Sequence, residues 1–266
     1  MQTIKRMLRI HKIFVLQELK RMLEYKGDFI VGVVGFLLGQ LFNLFFLEII
    51  FNQIPSLMGW TFGEIVFIYG FSLLPKGIDH LLFDNLWSMG YFIVSKGDFD
   101  KYLTRPINPL FHVMVEKMQM DAFGELIMGL SLMVVSIPNL SIEWNFIKIT
   151  FAIIVIPFST LIYTGIKIIT SSIAFWIKRS GNIMYMFYMM NDFAKYPVNI
   201  YNNIVKYTVT FIIPFAFTAY YPAEYILTGK NPLFNIGLTM IISIFVMIIG
   251  VYIWTKGVSK YESAGS

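Results

Sequence analysis

Nineteen residues in a row, between Asp28 and Glu48, carry no charge. Coiled as a helix they reach about 28 Å, close to the hydrocarbon thickness of a bilayer. Such a run reads as a membrane crossing, and this chain has several. Another apolar segment begins near Trp60 and runs to about 94, with charges in its second half, and others cover 110–137, 145–176, 182–197, 207–222 and 232–254. Only 14% of the 266 residues are charged and 57% are apolar. Soluble domains sit near 25% and 45–50%. The mean hydropathy of +0.67 agrees. The chain reads as an all-α membrane protein, since helices satisfy their backbone polar groups internally in lipid.

Lysine and arginine placement sets the orientation, because cytoplasmic flanks are enriched in both. The preferred reading has the N-terminus inside and six transmembrane helices: 28–51, Trp60 to about 94, 110–137, 145–176, 182–197 and 232–254. Fourteen of the twenty-one lysines and arginines then lie on the cytoplasmic side. A seventh crossing, kinked at Pro214, would send Lys256 and Lys260 outside. Residues 28–254 form the transmembrane domain on this reading, and 255–266 a cytoplasmic tail. Residues 1–27 hold an N-terminal interfacial amphipathic helix, in which Ile4, Leu8, Val15, Leu19 and Met22 recur at helical spacing among basic side chains. Anionic membrane lipids attract a helix of this kind. The net charge of +5 therefore reflects membrane topology and not nucleic-acid binding. Residues 198–231 are too apolar for a free loop and are broken by Pro214 and Pro222. They are expected to form an outer re-entrant helix pair covered by protein.

Between the second and third crossings lies a polar stretch, "SKGDFDKYLTRPINPLF", residues 95–111, with five charges and two prolines. Asp98 is placed to cap a short helix beginning at Phe99. Phe99, Tyr102 and Leu103 then share a face, and Pro106 ends the helix. Asn108 and Pro109 make a cap and first-turn pair that starts the next helix. The expected result is a short helix across the base of two long ones, showing two aromatics and mixed charge. The alternative is a surface turn with solvated charges.

The residues "GDFDKYLTRPINPLF" resemble the cytoplasmic segment of permeases in the ABC-2 superfamily of exporters, in the branch with a separate ATPase and often a second small permease. A second patch, "YPVNIYNNIVKYTVTFIIPFAFTAYYPAEYILTG" at 196–229, resembles the outer region of that branch. The resemblance implies a type V exporter-like fold, in which the short helix within 95–109 is a coupling helix docked on an ABC ATPase. It places that contact on Gly97, Asp98, Phe99, Asp100, Tyr102, Leu103 and Arg105. It also implies a pairing with a second permease, identical or homologous. The outer lid would involve Pro197, Tyr201, Pro214, Tyr220, Tyr221 and Pro222. ATP and Mg would belong to the ATPase, with no cofactor held by this chain. The sequence agrees that hydrolysis lies elsewhere. A phosphate-cradling loop needs G-x-x-x-x-G-K-[ST], and the nearest approach, Gly229-Lys230, is followed by Asn231 and preceded five positions back by Glu224.

Two crossings carry clusters of charge. Lys76, Asp79, His80 and Asp84 lie in the second; Glu116, Lys117, Asp121 and Glu125 lie in the third. A charge at mid-bilayer costs about 2.5–3.5 kcal/mol, so these groups must face one another, a partner or water. Lys117, Asp121 and Glu125 fall on one helical face. Antiparallel packing would pair Lys76 with Asp121 or Glu125, and Asp79 with Lys117. The cluster reads either as an ion-pair latch or helix ends beyond the bilayer, or as a proton relay or substrate-contacting lining. Met186 and Met190, near Met184, Met189, Tyr185 and Tyr188, offer an adaptable lining or ordinary packing. Asn191 and Asp192 are polar at membrane depth and are candidates for the translocation path. Gly32, Gly35 and Gly39 suit close helix contact. His11, His80 and His112 lack metal-ligand spacing, and cysteine is absent. The function expected is the permease subunit of an ATP-driven exporter of an amphipathic peptide, drug or lipid, in the cell membrane. The alternatives are an ion-coupled carrier using Lys76, Asp79 and Asp121, and a non-transporting scaffold or immunity protein.

Overall fold

A computed structural model describes residues 2–119 and 121–263, with side chains from Lys5 onward. Ile4 of the expected apolar stripe and residues 264–266 of the expected tail therefore lie outside the described side chains. Thirteen α-helices are described: α1 Gln2–Glu24, α2 Lys26–Phe51, α3 Phe62–Phe83, α4 Leu86–Ser88, α5 Asp100–Leu103, α6 Pro109–Val115, α7 Ala122–Ser136, α8 Phe146–Ser172, α9 Ala174–Ile177, α10 Gly181–Met189, α11 Asn203–Tyr207, α12 Tyr220–Thr228 and α13 Leu238–Val258. No strand forms among the described residues, as expected of an all-α membrane protein.

Among the described residues five segments are long and apolar enough to cross a membrane: Lys26–Phe51, Phe62–Phe83, Ala122–Asn139, Phe146–Ile177 and Leu233–Val258. The expected crossing at 182–197 is made of two pieces, α10 continued by a 3-10 helix, Met190–Lys195. End to end these two pieces reach about 25 Å. The expected continuous crossing at 110–137 is also broken. α6 stops at Val115, and α7 starts at Ala122. Neither proline nor glycine breaks it. The backbone N–H of Gln119 donates instead to the carbonyl of His80 on α3, 3.3 Å away, so a tertiary bond replaces helix continuation.

The bundle is centred on α3, 78% of whose most apolar window is buried, whereas α2 is only 6% buried. α3 packs between α7 and α8, and α8 packs on α13. Two glycine contacts set these distances. A Cβ on Gly70 of α3 would stand 2.9 Å from the carbonyl oxygen of Gly129 on α7, and one on Gly165 of α8 would stand 2.8 Å from Val246 of α13. The glycines singled out from sequence behave differently. Gly35 and Gly39 of α2 have nothing within 4 Å of an added Cβ.

Local chemistry starts the helices. Thr61 and Glu64 form a reciprocal capping box at α3. Asn108 accepts from the Phe111 N–H at 3.0 Å ahead of Pro109 at the start of α6. Pro75 lies inside α3, and its own carbonyl accepts from the Thr160 hydroxyl at 3.2 Å. Residues 198–231 form short pieces on either side of Pro214: α11 with a π-helical turn, Thr208–Ile212, before it, and a 3-10 turn, Phe215–Thr218, with α12 after it. The second arm is buried from Phe215 to Leu227 apart from a half-buried Glu224. Gly229, at φ 69, closes α12 in the left-handed region that glycine enters without strain.

Candidate functional site

The short helix α5 is fastened from beneath. Gly97, at φ 77, makes the turn into it. Phe99 is fully buried in a box of Phe175, Trp254 and Tyr261, with ring centroids 5.0, 5.8 and 5.0 Å away. These rings belong to α9, the end of α13 and the segment after it. Tyr261 also donates to the Gly97 carbonyl at 3.4 Å, and Ser263 to Asp100 at 2.6 Å. Tyr102, 1% exposed, packs edge-on to His112 and donates its hydroxyl to Glu116. Lys101 stands 3.4 Å from the same carboxylate. Burial works to raise the Glu116 carboxyl, but the Tyr102 hydroxyl and the Lys101 ammonium outweigh it and hold the group below its usual value. From the other side Arg6 of α1 donates to the Pro106 carbonyl at 2.9 Å.

Two expectations are corrected here. Phe99 and Tyr102 do not show outward; they anchor the helix. Asp98 does not cap it, because the residue at the cap is Phe99 and no side-chain bond is made there. Asp98, Lys101, Leu103 and Arg105 remain exposed, with Gly97 and Asp100 half-buried. Arg105 is also within 3.2 Å of the His112 ring. The outward face of α5 is thus charged, with one apolar contact, Leu103, 44% exposed.

The charges inside the bundle form two linked sets. Lys167 of α8 stands 2.7 Å from Asp79 and 3.1 Å from Asp84. Asp79 has no exposure and accepts a second bond, from the Thr164 hydroxyl, at 2.6 Å. Lys76 and His80 both reach Glu125 of α7, at 3.2 and 2.9 Å. His80 is joined through its other nitrogen to the Tyr188 hydroxyl at 3.0 Å. Asp79 and His80 are neighbours on α3, so one turn of that helix ties α7, α8 and α10 together. The expected Lys76–Glu125 pair is present. The expected Asp79–Lys117 pair is not, since Lys117 lies exposed in the 116–121 break. Lys117, Asp121 and Glu125 share no helical face, and Asp121 takes the Gln119 side chain at 2.9 Å. Lys167 fills the missing role. It is the one charge deep within the apolar run of α8, and the cost of such a charge in lipid was the signal for its importance.

The remaining candidates are scattered. Asn191 is buried and bonded to the Tyr163 hydroxyl, so its amide does not face an open path. Asp192 is exposed and pairs with Lys195 at 2.6 Å. Met186 is exposed and Met190 half-buried. In the outer region Tyr220 meets Trp60 edge-on at 5.9 Å and donates to Glu224 at 3.2 Å. Tyr221 meets the Thr210 hydroxyl at 3.3 Å, joining the two arms across Pro214. Tyr201 packs on Phe193 at 5.1 Å, and Pro197, Pro214 and Pro222 are buried.

A helical bundle with five apolar spans, an inner ion-pair lattice and a fastened polar helix makes a multi-pass membrane protein with a built handle. Comparison with curated proteins and with solved structures returned no match. The family model described as ABC-2 family transporter protein matches residues 37–265, nearly the whole chain. The chain therefore belongs to the ABC-2 family of transporters, as a transmembrane permease.

Proposed function

We propose that this chain is the permease subunit of an ATP-driven exporter, energised by a separate ABC ATPase that docks on the outward face of α5. The observation that carries the reading is the contrast within that helix. Phe99 is sunk against α9 and the end of α13 and Tyr102 against His112 of α6, while Asp98, Lys101, Leu103 and Arg105 are left exposed. A push on the free face has two rigid routes inward. One runs from Phe99 to Phe175 and Trp254, and so into α13. The other runs from Tyr102 to Glu116, and through the 116–119 link to His80 and the ion pairs. ATP and Mg belong to the ATPase, and the permease itself has no catalytic role.

Six crossings with both termini in the cytoplasm fit the basic flanks. α1 then lies along the inner surface, with Leu8, Ile13, Leu16 and Leu23 exposed toward lipid among its basic side chains. The arms around Pro214 close the outer end. A second permease completes the path for an amphipathic peptide, drug or lipid. The test is a photo-crosslinker at Leu103 in whole cells. The expected partner carries a phosphate-cradling loop. Labelling of a Leu103→Cys variant by a membrane-impermeant maleimide added outside intact cells would sink both the orientation and the docking.

A further inference from the structure

Beside the ion-pair lattice lies a cavity of 360 Å³, within the size range of small-ligand sites. Asp84, His80 and Gln119 line it together with the rings of Trp87, Tyr91 and Tyr188. Those rings form a continuous wall. Trp87 meets Tyr188 edge-on at 5.4 Å and stacks on Tyr91 at 6.1 Å, and Tyr188 lies 5.7 Å from His80. The Tyr188 ring already holds a cation, since the Lys76 ammonium stands 5.4 Å from its centroid.

Charged groups of both signs surround this wall. Asp79, Asp84 and Glu125 supply three negative charges, and Lys76 and Lys167 supply two positive ones. His80 stands between them, in contact with Glu125 through Nδ1 and with the Tyr188 hydroxyl through Nε2. Further along the trough Arg21 pairs with Glu18 at 2.5 Å, and Lys117 lines an adjoining recess that also reaches Asp84. Asp84, whose side chain is 18% exposed, is the carboxylate that opens to the cavity. A carboxylate attracts cations, and aromatic faces attract them at little desolvation cost.

We propose that this cavity is a binding site for a monovalent aromatic cation, with Asp84 supplying the charge and Trp87, Tyr91 and Tyr188 the faces. As a loading site for cargo it rests on the permease reading; as a binding site it stands on this geometry. The full chain in zwitterionic-lipid nanodiscs is titrated with tetraphenylphosphonium and with tetraphenylborate, which have one shape and opposite charges. Saturable binding of the cation alone is expected, above that of empty discs. Trp87→Leu should weaken it by about tenfold or more. Asp84→Asn should do the same. Because Asp84→Asn also removes a partner of Lys167, Trp87→Leu carries the test if that variant fails to fold. Tyr188→Phe, which keeps the ring, should stay within about threefold. Equal uptake of the two ions, or cation binding unchanged in Trp87→Leu, overturns the site. Neither result touches ATPase docking at Leu103, and failed docking would leave these titrations as they are.

Discussion

Lys167 and Lys76 look alike in sequence, each a lone cation in an apolar helix, but their surroundings assign them different weights. Among the described residues Lys167 is the one cation within ion-pair distance of Asp79, and Asp79 is wholly buried. Removing one member of a buried pair leaves a charge without compensation and costs about 3–5 kcal/mol. Lys167→Met should therefore lower the thermal midpoint of the detergent-solubilised protein sharply. Pairing it with Asp79→Asn should restore much of the loss, since the amide can still accept from Thr164. Lys76→Met should cost clearly less, because Glu125 keeps His80. Equal losses from the two single variants would mean that the lattice is not organised around Asp79. Composition and the price of charge in lipid announced that such pairs must exist. They could not say that Asp79 turns toward α8, because that choice depends on which helix packs against which face of α3.

At the scale of elements, α5 shows what local chemistry can and cannot specify. The Asn108–Pro109 start of α6 was legible because the cap is made within four residues. The direction of Phe99 and Tyr102 was not, because their partners are far along the chain, at Phe175, Trp254 and Tyr261 and at His112 and Glu116. The break at 116–121 was hidden for a similar reason, being made by the bond from Gln119 to His80. This fastening yields a prediction. Phe99→Ala empties a fully buried aromatic site, a change of about 3–5 kcal/mol in a packed core. With α5 loosened, ATP hydrolysis by a bound ATPase should continue while transport falls. Tyr261→Phe, which keeps the ring and loses the hydroxyl's bonds to Gly97, Asp100 and Ser263, should leave both near their starting values. If Phe99→Ala transports normally, the aromatic box does not transmit force. If the variant no longer reaches the membrane, the box serves folding alone.

The whole molecule is lopsided. α3 is nearly enclosed, whereas α2 touches little beyond α7 and a few side chains of α3. Its outer surface presents Val31, Val34, Leu38, Leu41, Phe42, Phe45 and Phe46. Inside the bundle, bare glycine surfaces are used for contact, at Gly70 against Gly129 and at Gly165 against Val246. Gly35 and Gly39 offer the same kind of surface with nothing on it. Lipid tails can cover such a face, but a second permease would use the groove the glycines leave. The absence of cysteine allows a clean test, because one introduced thiol is then the only one in the chain. Gly39→Cys should form an oxidative crosslink in membranes if a second permease of the same kind lies against α2, doubling the apparent mass. If the mate is a different permease, a bifunctional reagent anchored at the same position should give a mixed product instead. Ser72→Cys, buried within α3, should give neither and serves as the control. A Gly39→Cys protein that stays monomeric under both reagents, while still supporting transport, would mean that α2 faces lipid and that the path is framed by other helices.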